Sequence, residues 1–77
     1  MDLRQTFATN LRRLRNEAGL SQEELALLAD VNRTYVSKLE TGASYVGLEI
    51  LGKLAQVLKA EPAALLKPLA RGPRRRR

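Results

Sequence analysis

Arg33, Thr34, Ser37 and Lys38 lie within the stretch RTYVSKLE at spacings that put them on one face of a helix. Their chemistry is hydrogen bonding rather than bond making. A guanidinium is a rigid fork of donors, an ammonium a movable one, and a hydroxyl both donates and accepts. On a helix laid in the major groove of DNA such groups reach base edges: Arg33 can fork onto O6 and N7 of a guanine, and Thr34 can offer its methyl to thymine or its hydroxyl to a base edge or phosphate. Lys38, one turn beyond Thr34, reaches guanine or the backbone. The chain has no Cys and no His, hence no thiol nucleophile, no disulfide, no imidazole and no zinc cluster of the usual kinds. The expectation is a protein that is not an enzyme, without catalytic residues, metal or cofactor.

The elements that would hold those residues are legible from Leu20 to Gly42. Ser21 followed by Glu24 is a capping box, so a helix begins near Gln22, with Leu25, Ala26 and Ala29 facing inward. A turn over Asp30 and Val31 follows, and Asn32 caps a second helix in which Val36 and Leu39 face inward. Gly42 ends it by supplying a left-handed cap. Two short helices joined by a tight turn are a helix-turn-helix.

Those residues, L-S-Q-E-x-L-A and then R-T-Y-V-S-x-L-E-x-G, resemble the phage-repressor, Cro and Xre-like helix-turn-helix family over roughly residues 3 to 66. Within that family NRTYVS is most similar to controller proteins of restriction-modification systems. The resemblance implies an all-α, five-helix repressor-like DNA-binding domain with its helix-turn-helix at helices two and three. It also implies base contacts at Arg33, Thr34 and Lys38, and a phosphate contact from the amide of Gln22. A structural ion pair between Arg15 and Glu40 is implied in the same way. Asn32, Tyr35, Thr41, Ser44 and Tyr45 are further candidates for phosphate contact, each also readable as a cap, turn former or partly packed side chain. Leu27 and Leu28 depart from the family, which usually carries polar residues there.

Elsewhere Leu3, Phe7, Leu11, Leu14 and Ala18 recur every three or four residues, which predicts a first helix from about Leu3 to Ala18 ending at Gly19. Arg12 and Arg13 fall on its expected solvated face. Leu48, Leu51, Leu54, Ala55 and Leu58 predict a fourth helix from about Gly47 to Leu58, followed by Lys59 where the family usually has Gly. Pro62 opens a fifth, expected to run to about Leu69. Its leucines either fold back onto helix one or meet their own copies across a two-fold axis. The second reading is favoured, with Val57, Leu65, Leu66 and Leu69 as a homodimer contact.

Seventy-seven residues allow one domain with a modest core, expected over residues 1 to 70, followed by a disordered arginine-rich tail at 71 to 77. Five of the fourteen basic residues sit in that tail, so the net charge of +6 leaves nine bases against eight acids, a body of only +1. Local placement, not bulk charge, must carry any electrostatic attraction to DNA. No apolar run approaches the roughly 18 residues of a membrane span, and no signal-peptide pattern opens the chain, so a cytoplasmic location and no membrane partner are expected. The expected function is a transcriptional regulator that binds double-stranded DNA at a pseudo-palindromic operator as a homodimer. The alternative is an antitoxin-like protein that binds a toxin partner through its leucine-rich C-terminal region and autoregulates its operon.

Overall fold

The computed structural model describes residues 2–68. Five helices follow one another: α1 (Leu3–Glu17), α2 (Gln22–Ala29), α3 (Arg33–Thr41), α4 (Leu48–Leu58) and α5 (Pro62–Leu66), with no strand among the described residues. Leu69 and the arginine-rich tail lie outside them. The five-helix, all-α architecture is the one expected.

Each boundary has a local cause. Asp2 opens α1 by accepting the Arg4 N–H at 3.0 Å. The capping box of α2 is complete, Ser21 Oγ taking the Glu24 N–H at 3.0 Å while Glu24 Oε1 takes the Ser21 N–H at 2.8 Å. Asp30 then ends α2 in the left-handed region at φ 58°, a conformation that Asp tolerates better than most side chains. Lys59 closes α4 in the same region at φ 55°, without the freedom a glycine would have there.

α1 lies between α3 and α5, while α2 packs against α3 and α4, and α4 also touches α5. Phe7 and Leu11 of α1, Leu25 of α2, Val36 and Leu39 of α3, Leu51 and Leu54 of α4 and Leu65 of α5 close one core. Completely buried Ala8 keeps α1 thin on that inner side.

The fifth helix is shorter than its leucine pattern predicts. Lys67 is extended, at φ −85° and ψ 134°, because the residue before a proline avoids helical geometry and Pro68 follows. Leu65 also differs from expectation. It is 0 % exposed and belongs to the chain's own core, so it cannot form a subunit contact. Leu48, one of the residues that mark the fourth helix, is 83 % exposed at the first position of α4.

Candidate nucleic-acid interface

α3 presents Arg33, Thr34 and Lys38 to solvent, with Ser37 half-buried between them, while Val36, Leu39 and Glu40 point into the protein. The N-terminal end of the helix is fixed by Asn32, whose Oδ1 accepts the Thr34 N–H at 2.7 Å. The side-chain amide nitrogen of Asn32 donates no hydrogen bond among the described residues. At the other end Gly42, at φ 78°, turns the chain away in a left-handed cap.

Behind α3 sits a buried charge network. Glu40 is 2 % exposed and its carboxylate takes three donors: Arg15 Nε at 2.6 Å, Arg15 Nη2 at 3.1 Å and Gln22 Nε2 at 3.0 Å. Arg15 also donates from Nη1 to the Leu20 carbonyl at 2.7 Å, which ties the α1–α2 connection into the same cluster. One residue near the end of α3 thus joins α1 and the first position of α2. The forked geometry gives direction as well as attraction, which an ammonium could not supply. Gln22, at the α2 N-terminus, gives one amide proton to Glu40, and its Nε2 carries a second.

Two of the candidate phosphate contacts have their protons committed inside the protein. The Tyr35 hydroxyl donates to the Tyr45 carbonyl at 2.8 Å, pinning the loop after α3 to its outer side. Thr41 Oγ1 donates to the Lys38 carbonyl at 3.0 Å. Each can face a phosphate only by exchanging that bond, so the structure assigns both an internal role in the free protein. Tyr45 is exposed, its ring 4.6 Å from the Arg4 guanidinium carbon, and Ser44 beside it is half-buried.

Two polar residues escape a reading by periodicity. Arg12 is exposed, as expected for the solvated face of α1, but its Nη1 also donates to the main-chain carbonyl of Glu40. Asn10 is buried and gives its amide protons to the carbonyls of Leu65 at 2.9 Å and Lys67 at 2.7 Å. The signal for Asn10 was its place among Phe7, Leu11 and Leu14, where a polar group needs a partner. Leu27 and Leu28 remain 79 % and 60 % exposed, and nothing in the structure explains them.

Residues 11–65 match the helix-turn-helix family model HTH_3. The chain belongs to that family. It is a DNA-binding helix-turn-helix transcription regulator of the Xre and Cro type, in keeping with the resemblance carried by its α2 and α3 residues. Among similar proteins, the regulator is 35% identical to the control protein C.BamHI of Bacillus amyloliquefaciens over 66 residues, 84% of this chain and 82% of that one. It is 38% identical to the control protein C.SmaI of Serratia marcescens, over 86% of this chain and 79% of that one. Among solved structures, the restriction-modification controller protein C.AhdI of Aeromonas hydrophila superposes with a TM-score of 0.78 at 44% identity, covering 80% of this chain and 94% of that one. The hypothetical transcription factor NHTF from Neisseria gives 0.84 at 40% identity, over 87% and 75% of the two chains.

Proposed function

We propose that the regulator binds a pseudo-palindromic operator as a homodimer and controls transcription of a restriction-modification locus. The observation that carries the DNA-reading part is the outward row Arg33, Thr34, Ser37 and Lys38 on a helix fixed at both ends. In this reading Arg33, Thr34, Ser37 and Lys38 touch base edges. Gln22 and the free amide of Asn32 hold phosphate, and Ser44 and Tyr45 approach the backbone from the loop. The restriction-modification context rests on similarity to C.BamHI, C.SmaI and C.AhdI, all named as control or controller proteins.

The homodimer reading draws on the apolar surface the fold leaves uncovered. Val57 and Leu66 are half-buried, and Leu66 borders an open groove of about 530 Å³ with Leu3 and Leu48 along it. In a homodimer on such an operator the two α3 helices would enter successive major grooves, about 34 Å apart. Selection of duplexes from a random pool tests the whole reading. The expected product is a two-fold symmetric site whose half-sites lie about 10 base pairs apart, centre to centre. Enrichment of an asymmetric site, or of none, would overturn it.

A further inference from the structure

A helix leaves its last four carbonyls without partners in its own ladder, and in α3 these belong to Lys38, Leu39, Glu40 and Thr41. The chain beyond α3 satisfies two of them, Ala43 N–H donating to Lys38 at 2.9 Å and Gly42 N–H to Leu39 at 3.3 Å. The other two are met from α1. Arg12 Nη1 donates to the Glu40 carbonyl, and Gln5 Nε2 stands 3.5 Å from the Thr41 carbonyl, the long limit of a hydrogen bond. Gln5, Ala8, Arg12 and Arg15 recur three and four residues apart, so one stripe of α1 faces the C-terminal end of α3. Ala8, completely buried, lets the two helices approach, and the three long side chains close over the helix end.

Resting on the reading that α3 contacts base edges, we propose that Arg12 is a positioning residue for sequence discrimination: its guanidinium fixes the tilt of α3 in the groove and does not neutralise a phosphate. The charge suits the place, because a cation at a helix C-terminus meets the negative end of the helix dipole. The consequence for DNA follows from the different demands of the two kinds of contact. A forked hydrogen bond from Arg33 to guanine is lost when the helix tilts, whereas attraction to phosphate tolerates the same movement. Arg12 therefore contributes to the gap between specific and non-specific binding while leaving the number of released counterions unchanged.

Affinities of the full chain for the duplex that wild-type protein selects from a random pool, and for a scrambled duplex, measured across a salt series, test this. Arg12→Met is expected to weaken the selected duplex about tenfold, equivalent to about 1.4 kcal/mol. The scrambled duplex should change less than about twofold, with the slope of log affinity against log salt unaltered. A slope smaller by about 0.9, with equal loss on both duplexes, would make Arg12 a phosphate contact and overturn the proposal. Unchanged affinity for both duplexes would overturn it as well. Far-UV circular dichroism establishes that the variant is folded. If it is not, Arg12→Gln carries the test, since it also removes the charge but keeps an amide donor. The expected result is then a smaller loss on the selected duplex at constant slope, and a reduced slope overturns the proposal. Failure of the wild-type chain to select any duplex is a separate result that removes the base-reading role of α3 and this inference with it.

Discussion

α3 and α5 lie against the same helix, α1, yet they are held by opposite means. α3 has nine residues, a side-chain cap at its start, a glycine at its end and a charged cluster beneath it. α5 has five residues, no side-chain cap from Glu61 and an extended residue directly after it. A free helix of five residues does not form in water, because nucleation alone exceeds what so few hydrogen bonds return. Its geometry is imposed from outside, by Leu65 in the core and by the two donors of Asn10. Ionic fixing from a neighbouring helix serves the reading element, and a neutral amide clasp serves the C-terminal one.

The largest effect that separates the two is expected at Glu40. Glu40→Ala leaves the Arg15 guanidinium, itself mostly buried, without its counter-charge, and breaking such a pair from one side costs about 3 kcal/mol or more. Replacing both partners by apolar groups, Arg15→Met with Glu40→Leu, should restore much of that loss. Urea denaturation of the single and double variants measures the difference. Equal destabilisation would mean that the carboxylate acts only through its contact with Gln22.

Asn10→Leu probes the other side of α1 and should cost less, about 1 to 3 kcal/mol, by leaving the Leu65 carbonyl without a donor in a buried place. The contrast lies in where the loss appears. Amide hydrogen exchange should quicken at Leu65 and Leu66, while Val36 and Leu39 in α3 keep their protection relative to the global stability. Equal acceleration in both helices would show that α1 joins them into one cooperative unit and that the two fixings are not separable.

How far these arrangements were legible depends on whether a residue's role is decided within its own helix. The capping box at Ser21 and Glu24, the Asn32 cap and the Gly42 terminus need only local chain geometry, and the structure has them where the spacing put them. Apolar periodicity also found the inner faces of α2 and α3 and the middle of α1, where Phe7 and Leu11 are buried, whereas Leu3 and Ala18 at the two ends of that stripe are exposed. Periodicity does not tell which neighbour covers a leucine: it allows Leu65 to meet a partner subunit, whereas α1 of the same chain encloses it. The leucine pattern runs on to Leu69, but Pro68 holds Lys67 extended and stops the helix at Leu66. Arg12 was the harder case. A surface arginine between apolar positions looks alike whether it meets water or the end of another helix, and only the crossing of α1 over α3 decides between them.

The smallest expected effect concerns the two left-handed residues that end α3 and precede α5. Gly42 adopts φ 78° freely, whereas Lys59 reaches φ 55° with a Cβ that crowds the following carbonyl. Ala60 N–H nevertheless donates to the Ala55 carbonyl at 3.0 Å, and Lys59 N–H to Gln56 at 3.2 Å, so the cap at the end of α4 has the same bonding as the one at Gly42. Lys59→Gly removes the local strain and loosens the unfolded chain, two effects of opposite sign. Relief of a left-handed lysine is the larger, and a net gain of about 0.5 kcal/mol is expected. A rise of a few degrees in the thermal midpoint would show that the strain reaches the folded state. A fall would mean that unfolded-state entropy outweighs it, and that the connection into α5 gains as much from a stiff residue as the end of α3 gains from a free one.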